Sequence, residues 1–141
     1  MLKITAIIII ALIVLVMIIA ATKPDSFSVQ RSIIIKSAPD RIFALISDFH
    51  HWPSWSPWEK MDPAMKRNHS GVAYGTGALY AWDGNSKIGE GSMEIVESLP
   101  PAKVVIKLDF NRPFEGHNIA EFFIVDRGRG DNRYLADAWT V

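Results

Sequence analysis

Four histidines stand out as possible metal ligands: His50, His51, His69 and His117. Metal ligands on a helix need i, i+4 spacing or a compact set with carboxylates. His50 and His51 are adjacent, so on a helix their side chains diverge by about 100°. The spacing therefore predicts surface or helix-end histidines and no metal site. Acid–base chemistry would need paired carboxylates. Glu90 and Glu94 share a strand parity, with Glu97 in the same segment, but that face reads as the solvated side of a sheet. Asp109 and Glu121 fall in strand-like segments, opposite apolar faces. No Ser-His-Asp order or phosphate loop is present, and Gly75-Thr76-Gly77 lacks the downstream glycine and helix of a dinucleotide site, so it reads as a turn. With no cysteine, disulfides and thiolate chemistry are excluded. The richer signal is aromatic: Trp52, Trp55, Trp58, Tyr74, Tyr80, Trp82, Phe110, Phe114, Phe122 and Phe123. Such side chains bury large areas and often line apolar ligand pockets, although core packing alone also accounts for any one of them.

The elements that would position these residues follow from the apolar pattern. Phe27 to Lys36 reads as a strand, with Val29, Ile33 and Ile35 on one face. Ser37-Ala38-Pro39-Asp40 is a helix start, and Ile42, Leu45, Ile46 and Phe49 form one stripe on a helix of about 12 residues. Trp52, Trp55 and Trp58, interleaved with Pro53 and Pro57, suit short helical turns. The period then changes to two. Lys66 to Ser70, Ala78 to Trp82, Gly89 to Leu99, Lys103 to Phe110 and His117 to Val125 read as antiparallel strands, with Asp83-Gly84-Asn85 as a hairpin signal. The class is α+β.

The N-terminus differs from this domain. Lys3 is the one charged side chain before Lys23, and Thr5 the one polar residue in Ile4 to Ala21. As a helix this run spans roughly 27 Å, which predicts a transmembrane anchor over 1–22, followed by a 23–26 linker. Lys3 and the α-amine favour an N-terminus inside and a soluble domain on the exported side; a cleaved signal peptide is the alternative. The chain carries 15 Lys+Arg and 15 Asp+Glu, for a formal net charge of zero, which argues against a nucleic-acid binder.

The segment Ser37-Ala38-Pro39-Asp40-Arg41-Ile42-Phe43-Ala44-Leu45-Ile46-Ser47-Asp48-Phe49, followed by Trp52-Pro53-Ser54-Trp55-Ser56-Pro57-Trp58, resembles the START/polyketide-cyclase-like (SRPBCC) superfamily. Gly77-Ala78-Leu79-Tyr80-Ala81-Trp82-Asp83-Gly84-Asn85 and Gly89-Glu90-Gly91-Ser92-Met93-Glu94-Ile95 resemble its central hairpin. The resemblance covers 27–130. It implies a helix-grip fold: a curved antiparallel sheet around a long C-terminal helix, with an apolar cavity between. It also implies cavity residues: Trp82, Phe110 and Phe122 on strands facing inward, Trp55 and Trp58 near the mouth, and Tyr80 beside them. Members bind lipids, hormones or polyketides, and some are cyclases.

The resemblance breaks near the C-terminus. The family continues into Gly-x-Thr-x-Val-x-Trp and a long helix; here the sequence is Gly130-Asp131-Asn132-Arg133-Tyr134-Leu135-Ala136 and reaches Val141 without an amphipathic helix. Codons for that stretch, read one base later, can encode Thr-Thr-Val-Thr-Trp, which suggests a frameshifted tail over 131–141. A naturally divergent tail is the alternative, and Arg133 to Val141 has weak alternation suited to a last strand. The expected function is a membrane-anchored, noncatalytic domain that binds a hydrophobic small molecule or lipid and needs no cofactor. The alternatives are a polyketide cyclase or aromatase-like enzyme, a protein-interaction module, and a truncated nonfunctional product.

Overall fold

The computed structural model describes residues 2–22, 28–126 and 134–140. Helix α1 (Leu2–Ala21) comes first, then strand β1 (Val29–Ile35), helix α2 (Pro39–Ile46), a 3₁₀ turn (Phe49–Ser54) and helix α3 (Pro57–Met61). Six strands follow: β2 (Lys66–Gly71), β3 (Ala78–Asp83), β4 (Glu90–Leu99), β5 (Lys103–Arg112), β6 (Gly116–Asp126) and β7 (Tyr134–Thr140). They form one sheet in the order β1-β7-β6-β5-β4-β3-β2, and every neighbouring pair is antiparallel.

Alternation decides which side chains face inward. In β3, Ala78, Tyr80 and Trp82 are buried between more exposed neighbours. Gly91, Met93 and Ile95 do the same in β4. In β5, Val104 and Ile106 are fully buried. These side chains meet Ile42 and Ile46 of α2 and Phe49 and Trp52 of the 3₁₀ turn to form the core. A register shift between Ile95 and Glu97 interrupts the β4–β5 ladder, a bulge that re-aims the strand beyond it.

Helix α2 has 8 residues, shorter than its apolar stripe predicts, and its N-cap is Ala38, without a side-chain bond. The chain leaves the helix at Ser47 because Asp48 starts the next turn: its carboxylate accepts from the His50 backbone N–H at 2.9 Å. Phe49 therefore joins the core from the 3₁₀ turn. The tail segment 134–140 is a strand, inserted between β1 and β6. No helix follows α3 among the described residues. The inner face of the sheet is consequently covered by α2, the 3₁₀ turn and α3.

The transmembrane anchor expected over 1–22, and with it the single-pass membrane location and exported domain, is corrected. Among the described residues no helix is long and apolar enough to cross a membrane. The α+β sheet-and-helix part of the expected fold stands.

Candidate functional site

The site grows from the end of α2. A helix leaves its last carbonyls without intrahelical partners. Here two indoles supply donors: Trp52 Nε1 donates to Ile46 O at 3.1 Å, and Trp55 Nε1 to Leu45 O at 3.0 Å. The three-residue spacing of these tryptophans on a 3₁₀ turn brings both to the same helix end. Their ring centroids lie 4.9 Å apart, and Phe49 meets Trp52 edge-on at 5.3 Å. The Trp-rich segment is thereby locked as one wall.

The opposite wall is the sheet. Trp82 lies over the position facing it in β4, which is Gly91. A Cβ at Gly91 would come within 2.6 Å of the Trp82 ring and 2.5 Å of Asp109 O. The missing side chain is therefore what admits the indole. Trp82 meets Phe110 edge-on at 5.6 Å, and its Nε1 donates to Ile88 O at 3.3 Å.

Between the walls is a cavity of about 260 Å3. All six residues expected from sequence line it: Trp55, Trp58, Tyr80, Trp82, Phe110 and Phe122. Met93, Leu108 and Ala120 fill in between them. Trp58 is 56% exposed and stands at the mouth, while Tyr80 and Trp82 are buried. A second trough of about 430 Å3 runs alongside, between α2 and β1, and shares Trp55 and Phe122 with the first. Its other lining residues include Ile33, Ile35, Ile42 and Leu45.

The cavity has one polar end, which the sequence reading missed. Glu59, in α3, is only 6% exposed. Its Oε1 accepts a 2.6 Å hydrogen bond from the Tyr80 hydroxyl, and its Oε2 accepts from Arg67 Nε at 2.7 Å. Arg67 Nη1 donates onward to Met65 O at 2.8 Å and Pro63 O at 3.3 Å. Burial, and then the bond to the Glu59 carboxylate, raises the Tyr80 pKa well above the usual phenol range. The bond to Glu59 likewise holds the Arg67 guanidinium charged. No periodicity marks Glu59. A carboxylate inside a tryptophan-rich, proline-flanked segment is the one signal that could have drawn attention to it.

The other candidates lie elsewhere. Glu90 and Glu94 alternate with the buried Gly91, Met93 and Ile95, so they occupy the outer face. Glu90 pairs there with Arg112 at 2.8 Å, and Glu97 pairs with Lys103 at 2.9 Å. His117 pairs with Asp109 at 2.7 Å. His50 bonds Asp48 at 2.8 Å and stacks on His69, with centroids 4.3 Å apart. Among the described residues no group of three or more His, Asp or Glu side chains converges on a metal position.

No protein-family model and no curated protein matches the chain. Solved structures do. CalU16 from Micromonospora echinospora superposes with a TM-score of 0.55 at 14% identity, over 80% of this chain and 59% of its own. The HSP90 activator PFC0360w from Plasmodium falciparum gives 0.55 at 14% identity, over 82% of this chain and 72% of its own. Ginseng major latex-like protein 151 from Panax ginseng gives 0.54 at 13% identity, over 81% and 76%. The chain thus spans a little under two thirds of CalU16 and about three quarters of the other two. At these identities the likeness is one of fold alone. The chain thus shares the helix-grip type of fold with these structures.

Proposed function

We propose that the domain binds a hydrophobic small molecule or lipid in the cavity between the tryptophan-rich segment and the sheet, and performs no chemistry on it. The observation that carries this reading is the convergence of seven aromatic side chains, from three strands and the tryptophan-rich segment, on one cavity. Enclosing a ligand there removes apolar surface from water, worth about 25 cal/mol per Å2. The polar end supports binding over turnover. Both Glu59 oxygens are engaged by Tyr80 and Arg67, and the Tyr80 proton points at Glu59. Among the described residues no second carboxylate and no histidine lines the cavity to complete an acid–base pair with Glu59.

The test is native mass spectrometry of the full chain together with Ala120→Trp, which fills the cavity from β6. The wild-type protein retains an apolar molecule, recovered chemically unchanged, and the variant does not. Repeatedly empty wild-type protein that also takes up no hydrophobic probe overturns the reading. Recovery of a converted product overturns its noncatalytic part.

A further inference from the structure

We propose that the Glu59–Tyr80 pair selects ligands carrying a hydrogen-bond donor, a hydroxyl or an amine, and excludes anions such as carboxylates. This rests on the binding reading above and names its ligand class. Among the described residues, Glu59 is the one charged side chain lining the cavity, and no Lys, Arg or His joins it.

The donors of the wall are already engaged. The Trp52 and Trp55 indoles donate to the end of α2, and Trp82 donates to Ile88 O. The Tyr80 hydroxyl donates to Glu59. The Arg67 guanidinium gives Nε to Glu59 and Nη1 to backbone carbonyls of the turn before β2. Acceptors are in surplus. A carboxylate has about four lone-pair positions, and Glu59 uses two of them. The Tyr80 oxygen donates its proton and keeps its own acceptor capacity. Ser56, 1% exposed, adds a hydroxyl that gives as readily as it takes and brings no charge.

A donor on the ligand therefore finds a partner at this end, while a carboxylate meets a like charge in a poorly hydrated wall. Arg67 does not reverse this, because its guanidinium sits behind Glu59 and is engaged there. The chemistry that fits is a flat or compact hydrophobe with one hydroxyl or amine.

Three probes of one shape decide it: naphthalene, 2-naphthol and 2-naphthoate. Each is measured by equilibrium dialysis against the full chain at neutral pH, with binding to Ala120→Trp subtracted to remove contributions from outside the cavity. The expected result is that 2-naphthol binds about tenfold tighter than naphthalene, as for a hydrogen bond to a charged group. 2-Naphthoate binds weakest. In Glu59→Gln, which removes the charge, the preference for 2-naphthol over 2-naphthoate collapses. Should that variant fail to fold, the order on the wild type still decides. Equal binding of naphthalene and 2-naphthol, or tightest binding of 2-naphthoate, overturns the inference and leaves the binding reading standing. Absence of cavity binding by all three overturns both.

Discussion

The Tyr80 hydroxyl and the Glu59 carboxylate meet at 2.6 Å, which ties α3 to the third strand across the polar end of an apolar cavity. Glu59 is balanced on its other oxygen by Arg67. Removing one member of a buried pair leaves an uncompensated charge. Arg67→Met should therefore lower stability by ~3 kcal/mol, and Tyr80→Phe by ~2 kcal/mol. Glu59→Gln should cost less than Arg67→Met, because the Arg67 guanidinium it leaves unpaired is 25% exposed and reaches water, whereas the Glu59 carboxylate is buried. Urea denaturation of the three variants checks the order.

Gly91 is the position over which the Trp82 indole lies. Gly91→Ala puts a methyl where the ring and the Asp109 carbonyl already are. Overpacking of this kind costs about 1–3 kcal/mol. The expected outcome is a lower thermal midpoint together with a changed near-ultraviolet circular dichroism spectrum, since Trp82 must move. An unchanged spectrum and midpoint would contradict this account of the cavity wall.

Trp55 combines two roles, a ring in the cavity and an N–H on Leu45 O. Trp55→Phe keeps an aromatic face and removes the donor, for a loss of about 1 kcal/mol. Trp55→Ala removes both, and should cost about 3 kcal/mol or more. If the binding reading holds, Trp55→Ala also weakens uptake of a hydrophobic probe far more than Trp55→Phe does. Denaturation and probe fluorescence, measured on the same samples, separate the two contributions.

His69 makes stability depend on pH. Its pKa is lowered, first by burial and then by the neighbouring His50, while the Phe49 backbone and the Glu59 and Asp48 carboxylates pull the other way. The buried Nε2 has no hydrogen-bond partner, so a second ring proton would find no acceptor. The folded protein thus holds the proton less tightly than the unfolded chain does. Stability falls as pH drops below the ordinary histidine value of about 6.5 and continues to fall toward the lowered folded value. Above it, both states are neutral and the term vanishes. His69→Phe should flatten the fall in urea midpoint on the acid side of neutrality, whatever its effect on absolute stability.

Much of this was legible in the sequence because period-two alternation is a strong constraint. Tyr80 with Trp82, and Val104 with Ile106, Leu108 and Phe110, could only share one face once their strands were recognised. The tryptophan spacing likewise foretold short turns. What escaped depends on partners distant along the chain. Glu59 acquires its role from Arg67 and Tyr80, on two strands that follow it. Gly91 matters because of a ring on the neighbouring strand. The end of α2 was overrun because an apolar stripe carries on through Phe49, whereas the chain stops at Asp48, whose carboxylate caps the next turn. The apolar N-terminal run was read by composition alone, and its expected membrane crossing did not survive. The tail strand showed only faintly, since its alternation is weak and its place is fixed by the strands on either side.

The first strand of the sheet, β1, pairs with the last, β7, so that Val29 meets Thr140. During synthesis from the N-terminus, β1 must wait unpaired until nearly the whole domain has emerged from the ribosome. The hairpins from β2 to β6 can form in order as they appear, since each joins neighbours in sequence. Closure across the β1–β7 pair is a long-range event with a large loop entropy, and such pairings are slow. Until it happens, the backbone donors and acceptors that β1 gives to β7 remain unpaired on the nascent chain. The order of the strands in space thus makes the newly made protein dependent on how quickly its two ends find each other.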